Sequence, residues 1–210
     1  MSITLVTGPA RSGKSEWAEL LAQKIAVQKD RQPVYVATAR RNPDDVEWQA
    51  RIDKHVQRRL SAEASRPAMS WQCIEVPVDL PGAIAQYTAS DCLLVDSLGT
   101  WLANLIEQTD EQWQTSQSEL IAVLQQTQAT IVLVAEETGW GMVPAYKMGR
   151  TFRDRLGSLS RCVGELSVDT YLVTCGYAIN LAKMGQPVGG CSVDREERDR
   201  SNKDSKSRDS

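Results

Sequence analysis

The sequence predicts an α/β fold with a mainly parallel β-sheet and helices on its faces. Short apolar runs rich in β-branched residues alternate with longer segments of helical period. The runs are apolar at successive positions, which is typical of parallel strands that are buried on both faces. A phosphate-loop pattern directly follows the first run, in the context that such a loop requires. A chain of 210 residues is long enough for one domain with a sizeable core.

The expected elements follow one another along the chain as strand and helix. Strands are expected at 3–7, 34–38, 92–96, 130–135 and 171–175, with a weaker sixth at 71–76. One helix should follow Lys14. A second should begin at Pro43, with Asn42 as its N-cap and acidic residues in its first turn. A third should follow Asp110, where apolar residues recur at helical spacing.

The strongest local signal is GPARSGKS at 8–15, which matches the pattern G-x-x-x-x-G-K-[ST] in full. The two glycines let the loop wrap closely, so that backbone N–H groups can point at phosphate oxygens. Lys14 would reach the β- and γ-phosphates, and Ser15 would hold Mg²⁺. The residues expected to bind the nucleotide here are Gly8, Pro9, Ala10, Arg11, Ser12, Gly13, Lys14 and Ser15.

Acidic residues end two of the expected strands. Asp96 closes the apolar run CLLVD and is expected to be a second Mg²⁺ ligand. The alternative is that Asp96 caps a helix starting near Ser97, and both roles can hold together. Glu136 and Glu137 end another strand at the same sheet edge, where ligands of open α/β sheets bind. They are either site acids or solvated loop charges.

His55 is the only histidine in the chain and lies among basic residues in RIDKHVQRR, at 51–59. On a helix from Pro43 it would share one face with Trp48 and Ile52, which favours a structural histidine. Nearby cations, however, would keep the imidazole neutral and therefore nucleophilic. A neutral imidazole beside a bound triphosphate could attack phosphorus. Both roles stay open from the residues alone.

Composition excludes several other classes of protein. The net charge of −3 gives no indication of nucleic-acid or membrane binding, and no apolar run is long enough to span a membrane. We expect no signal peptide and a cytoplasmic location. Five scattered cysteines without a CxxC pattern argue against a disulfide framework or zinc site. One catalytic domain is expected over 1–188, followed by a disordered tail over 189–210 with balanced charge.

The chain resembles the bifunctional cobinamide kinase/cobinamide-phosphate guanylyltransferases of adenosylcobalamin synthesis, from Thr4 to about Lys183. The resemblance is carried by an ordered set of motifs: LVTGPARSGKS, YVATA, RIDKH, WQCIEVP, LLVDSLGTWLANLI, LVAEETGWGMVP, GRTFRDRLG and YLVTCG. In that family, the histidine that ends the RIxxH motif is guanylylated by GTP, and here this position is His55. The resemblance implies a RecA-like P-loop fold and a homo-oligomer, specifically a trimer. From the sequence alone, Trp101 and Trp140 are suggestive exposed aromatics, with ordinary core packing as the alternative.

The resemblance also implies the substrates: adenosylcobinamide, phosphorylated from ATP or GTP, and its phosphate, which receives GMP. Further nucleotide contacts are implied at Thr38, Ala39, Arg40, Glu75 and Asp96. The chain departs from the family near 59–66, where either Arg59 or Arg66 matches an arginine of the family. Two other functions stay open: a monofunctional P-loop kinase with a structural His55, and a non-catalytic nucleotide switch.

Overall fold

The computed structural model describes residues 2–40 and 70–191, which form a seven-stranded sheet in the order β3-β2-β4-β5-β1-β6-β7. The strands are β1 Ser2–Gly8, β2 Gln32–Ala37, β3 Gln72–Glu75, β4 Asp91–Asp96, β5 Thr130–Glu136, β6 Asp169–Thr174 and β7 Tyr177–Asn180. Only β7 is antiparallel to its neighbour, β6. The α/β prediction is confirmed. All six expected strands are present, and β7 was not expected.

Helices cover both faces of the sheet. They are α1 Lys14–Lys29, α2 Leu80–Ile84, α3 Leu98–Asn104, α4 Asp110–Gln126, α5 Lys147–Leu166 and α6 Leu181–Met184. The helices expected after Lys14 and Asp110 are confirmed, whereas the one expected from Pro43 lies outside the described residues. A reciprocal capping box starts α4: the Thr109 hydroxyl accepts from Gln112 N at 3.3 Å, and the Gln112 side chain accepts from Thr109 N at 2.9 Å.

The core has one layer on each face of the sheet. In β4, Leu93 and Val95 join the layer that also contains side chains of α3, α4 and α5, while Leu94 joins the layer beneath α1. Three alanines, Ala18, Ala22 and Ala26, let α1 lie close to the sheet. Because side chains alternate between faces along a strand, both sides of β4 need apolar residues. This explains why the sequence run is apolar throughout.

The two tryptophans expected to be exposed have different environments. Trp140 is 63% exposed, as expected. Trp101 is only 1% exposed, so that expectation is wrong. It lies in α3, and its indole N–H donates to Val78 O at 2.7 Å, which satisfies the polar atom inside the core. None of the helices in the described ranges is long and apolar enough to cross a lipid bilayer.

A disulfide joins Cys162 in α5 to Cys191, with a Cα–Cα distance of 5.2 Å. The expectation of a chain without disulfides is therefore wrong for this pair. The two residues are 29 positions apart, and their proximity depends on the chain returning past β6 and β7 to α5. Cys191 N also donates to the Glu165 carboxylate at 3.1 Å. The tail expected over 189–210 thus includes Cys191, which is bonded to α5, while residues 192–210 lie outside the described part.

Candidate nucleotide-binding site

The phosphate loop connects the carboxyl end of β1, near the centre of the sheet, to the first turn of α1. Its two motif glycines are required for different reasons. A Cβ on Gly8 would collide with the carbonyl oxygen of Val173 in β6 and lie 2.9 Å from Ser12 Oγ. Gly13 has φ of 90°, a left-handed conformation that side chains disfavour. The loop therefore has the tight path and close packing expected of a phosphate cradle.

Lys14 and Ser15 lie at the start of α1, where the helix N-terminus favours anions. Lys14 is 9% exposed, and its ammonium group donates to Pro9 O at 3.3 Å. The lysine side chain therefore contacts the backbone of the phosphate loop to which it belongs. The Ser15 hydroxyl donates to Asp96 Oδ1 at 3.4 Å, across the gap to β4. The structure thus brings together the two residues expected to bind Mg²⁺.

Asp96 is the last residue of β4, and both of its carboxylate oxygens have partners. Ser15 donates to Oδ1, and the Tyr35 hydroxyl donates to Oδ2 at 2.9 Å. Asp96 is not the cap of the next helix: Ser97 is the N-cap of α3, and its hydroxyl accepts from Thr100 N at 3.2 Å. The capping alternative for Asp96 is therefore wrong, and the metal role remains a prediction.

Glu136 ends β5 beside the phosphate loop, where Gly8 pairs with it across β1 and β5, so it is not a solvated loop charge, and its role as a site acid remains a prediction. Its carboxylate accepts from the Ser97 hydroxyl at 2.6 Å. Burial raises the pKa of Glu136, while the Ser97 hydrogen bond and the nearby Lys14 charge act to lower it. The other oxygen, Oε2, packs against Gly99 and has no hydrogen-bond partner in the described part of the chain. Glu137 instead accepts from Gly139 N at 2.6 Å and orders the loop.

Ser97 links three strand ends. Thr38, immediately after β2, donates its hydroxyl hydrogen to Ser97 O at 2.7 Å and accepts from Ser97 N at 2.9 Å. With the bond to Glu136, these contacts tie the carboxyl ends of β2, β4 and β5 together. The Thr38 side chain is fully buried, so it orders the edge of the site, and its contact with a nucleotide remains a prediction.

The other expected site residues fall along the same edge. Ala39 is partly exposed and Arg40 is exposed, directly after Thr38. Glu75 is exposed at the end of the edge strand β3, where it pairs with Ala37. His55, Arg59 and Arg66 lie outside the described residues, so their positions relative to the loop stay predictions. Sequence reasoning missed Tyr35 and Ser97. The only sign of a role for Tyr35 in the sequence was its position two residues before the end of a strand.

The donor set at this edge suits a nucleotide-bound Mg²⁺ better than a protein-only metal site. Ser15 and Asp96 offer hard oxygen atoms, which Mg²⁺ prefers, and substrate phosphates commonly complete its coordination. Within 2–40 and 70–191 there is no group of three or more histidine, cysteine, aspartate or glutamate residues that could hold an ion alone.

Comparison with known proteins agrees with this geometry. Residues 4–181 match the family model described as cobinamide kinase / cobinamide phosphate guanyltransferase. The bifunctional adenosylcobalamin biosynthesis protein CobP of Pseudomonas aeruginosa is 36% identical over 186 residues, covering 88% of this chain and 98% of that protein. The corresponding CobU proteins of Salmonella typhimurium and Escherichia coli are 32% and 30% identical, each over 84% of this chain and 98% of their own length. This chain therefore belongs to the cobinamide kinase / cobinamide phosphate guanyltransferase family.

Proposed function

We propose that this enzyme carries out two reactions with one phosphate loop. It phosphorylates adenosylcobinamide from ATP or GTP, and it transfers GMP from GTP to adenosylcobinamide phosphate through His55. The observation that carries the proposal is the meeting of Lys14, Ser15 and Asp96 at one sheet edge, in a chain of this family. The histidine role rests on the match of RIDKH to the motif of the family.

In the kinase step, the substrate hydroxyl attacks the γ-phosphorus, the bond to the β-phosphate oxygen breaks, and the nucleoside diphosphate leaves with the hydroxyl proton released. Backbone N–H groups of the loop would hold the phosphates, and Lys14 would face the charge that develops on the leaving group. Ser15 and Asp96 would hold Mg²⁺, which supplies charge neutralisation at the phosphates.

In the transfer step, a ring nitrogen of His55 attacks the α-phosphorus of GTP, and pyrophosphate leaves. A phosphate oxygen of adenosylcobinamide phosphate then attacks the guanylylated histidine. The phosphorus–nitrogen bond breaks, which gives adenosylcobinamide-GDP and restores His55. Two displacements through a covalent intermediate replace one difficult displacement. An acid at Glu75 suits the guanine base, whose N1–H and amino group are both donors.

The test is the intact mass of the protein after incubation with GTP and Mg²⁺. Wild type should gain the mass of one GMP, and His55→Asn should gain none while staying folded, because asparagine cannot form a stable phosphoramidate. Lys54→Ala is the matched control, since Lys54 is an adjacent amine that could also accept GMP. It should label like wild type.

Three outcomes would decide between this proposal and its alternatives. Labelling of His55→Asn, together with loss of label in Lys54→Ala, would move the intermediate to Lys54. Cobinamide phosphorylation without any label would indicate a monofunctional kinase with a structural His55. The absence of both reactions, despite nucleotide binding, would indicate a nucleotide switch.

We further propose a homo-oligomer, specifically a trimer, in the cytoplasm. Support for association comes from exposed apolar side chains in the segment between β5 and α5, which includes Trp140, Met142 and Tyr146, each at least 63% exposed. Apolar side chains clustered in one exposed segment are typical of association surfaces. The use of nucleoside triphosphates supports the cytoplasm. Sedimentation equilibrium would test the trimer directly.

A further inference from the structure

Asn104 is the last residue of α3, and its side-chain amide joins two segments that follow neighbouring strands. The amide nitrogen, Nδ2, donates to Thr38 O at 2.7 Å and to Pro77 O at 2.8 Å. Both acceptors are backbone carbonyls, so the nitrogen of the amide, and not its oxygen, must face them. An amide nitrogen carries two hydrogens, which matches these two carbonyls. Asn104 therefore bridges the segments that follow β2 and β3.

The bridge lies where the pairing between β2 and β3 ends. Val76 N donates to Ala37 O at 2.8 Å, one residue beyond the end of β3. Pro77 comes next and has no N–H, so it cannot continue the pairing with β2. Asn104 binds the Pro77 carbonyl instead and connects it to Thr38, which follows β2. A side chain of α3 thus continues a connection that the backbone of these strands cannot make.

Further contacts fasten the same two segments to α3 and its N-cap. Trp101 precedes Asn104 by three residues, so the two side chains lie on one face of α3. The Trp101 indole N–H donates to Val78 O at 2.7 Å. The Thr38 hydroxyl donates to Ser97 O at 2.7 Å. The spacing between the two segments is therefore set by α3 as well as by the sheet.

These segments carry the residues expected to contact the nucleotide away from its phosphates. Ala39 and Arg40 directly follow Thr38, and Glu75 is the last residue of β3. In the sheet, β2 lies three positions from β1, which places its end about 14 Å from the phosphate loop at the usual strand spacing. A nucleotide whose phosphates lie in the loop can extend along this edge and bring its base to the ends of β2 and β3.

We infer that Asn104 is a positioning residue for the recognition of guanine. By fixing the spacing between the ends of β2 and β3, it holds the Glu75 carboxylate where the guanine N1–H and amino group can both donate to it. Two simultaneous hydrogen bonds require an acceptor in a fixed place, because each bond weakens steeply with misalignment. Adenine has an acceptor at N1 and cannot make this pair. The inference rests on the guanine contact proposed at Glu75 and adds the residue that holds that contact in place.

Binding of GDP, inosine diphosphate (IDP) and ADP, measured by isothermal titration calorimetry with Mg²⁺, separates recognition of the base from binding of the phosphates. All three carry the same phosphates, and IDP differs from GDP only by lacking the amino group. Wild type should bind GDP at least about tenfold more tightly than IDP or ADP, because the additional hydrogen bond is made to a charged group. In Asn104→Ala, GDP affinity should fall by about tenfold, while IDP and ADP affinity should change little.

Asn104→Asp separates the hydrogen bonds from the volume of the side chain. Ionised aspartate has the shape of asparagine but no N–H donor. Its oxygens would face two carbonyl oxygens, so the preference for GDP should fall at least as far as in Asn104→Ala. Circular dichroism shows which variants are folded. A folded variant of either kind that keeps the wild-type preference for GDP would overturn the inference.

Asn180→Ala is the matched control, because Asn180 also makes two side-chain hydrogen bonds. Its amide donates to Asp169 Oδ1 at 2.6 Å and accepts from Lys183 N at 3.3 Å. It lies in β7, at the opposite edge of the sheet from β3. Asn180→Ala should keep the wild-type preference for GDP. An equal loss of preference in this variant would mean that general weakening of the fold is enough, and the positioning role would be wrong.

Glu75→Gln tests whether Asn104 acts through Glu75. This change should remove the preference for GDP by itself, and adding Asn104→Ala should then have no further effect on it. Additive losses would refute a role exerted through Glu75. Diphosphates have no γ-phosphate to transfer and the measurement needs no corrinoid, so failure of the His55 proposal would leave these results unaffected. A wild type without preference for GDP would overturn both the guanine contact at Glu75 and the role of Asn104, whereas a preference retained in the Asn104 variants would overturn the latter alone.

Discussion

Replacing Gly99 with alanine tests the buried contact between Glu136 and α3. A Cβ at this position would lie 2.8 Å from Glu136 Cδ and closer still to Oε2, so the carboxylate must move. Moving it breaks the 2.6 Å hydrogen bond from Ser97, and a buried bond to a charged group contributes about 1.5–3 kcal/mol. Both close atoms belong to the end of the Glu136 side chain, so the crowding itself is relieved once that side chain moves. Alanine favours the helical conformation over glycine by about 1 kcal/mol, which offsets part of this loss of stability.

The expected net effect of Gly99→Ala is a loss of about 1 kcal/mol in the free energy of unfolding. Urea unfolding followed by circular dichroism measures this change. The matched control is Gly157→Ala in α5, where an added Cβ would meet nothing within 4 Å. That variant should be more stable than wild type by about 0.5–1 kcal/mol, through helix propensity alone.

A double variant separates the Glu136 contact from other effects of the methyl group. Once Glu136→Ala has removed the carboxylate, adding Gly99→Ala should cost nothing or stabilise α3 slightly. Two results would contradict the reasoning: a Gly99→Ala variant as stable as Gly157→Ala, or a Gly99→Ala loss that persists in full in the Glu136→Ala background.

Three further predictions concern the loop lysine, the buried acid and the disulfide. Lys14→Ala should abolish both cobinamide phosphorylation and GMP attachment, whereas Lys29→Ala, at the exposed end of the same helix, should retain both in radiolabel assays. Glu136→Gln should be more stable than wild type at pH 7.5, because the raised pKa of Glu136 makes its ionisation destabilising in the folded state. Urea unfolding at several pH values measures the difference in stability between Glu136→Gln and wild type. This difference should shrink as the pH falls through the pKa of Glu136 in the folded protein, and it should vanish below pH 4.5. A difference that stays constant with pH would contradict the prediction. Cys191→Ser should lower the free energy of unfolding by about 3.5 kcal/mol, the loop-closure estimate for a separation of 29 residues. A chain that ends at Cys191 keeps the disulfide and should have the same melting temperature as wild type. Thermal melts with and without reductant check this, since reduced wild type should match the variant.

The strands and the phosphate loop could be predicted from sequence because their signals are local. An apolar run such as LLV at 93–95 shows directly that both faces of β4 are covered. The missed strand β7 is only four residues long, and its pattern is too short to distinguish from a turn. Side-chain environments depended on tertiary contacts. Trp101 is buried because α3 turns toward Val78, and Cys162 meets Cys191 only after the chain has passed through two strands.

The site was predictable where a motif fixes the backbone, as at Gly13 and Lys14. The roles of side chains that contact residues of neighbouring strands could not be predicted. The choice between a site acid and a loop charge at Glu136 required the register that pairs it with Gly8. Likewise, Tyr35 could be linked to Asp96 only after β2 and β4 were known to be neighbours, and no sequence pattern identifies Ser97 as the residue that joins three strand ends.

The position of β1 in the sheet has a consequence for how the protein is made. β1 pairs with β5 and β6, and Ser2 lies opposite Thr130. During synthesis the ribosome therefore releases the phosphate-loop motif long before either strand that flanks it exists. Contacts so distant along the chain form slowly, because closing the long intervening loop costs entropy first. The phosphate-loop motif, translated before β5 and β6, is thus among the last parts of this sheet to obtain its neighbours, and a nascent chain that stops before β5 cannot build the nucleotide cradle.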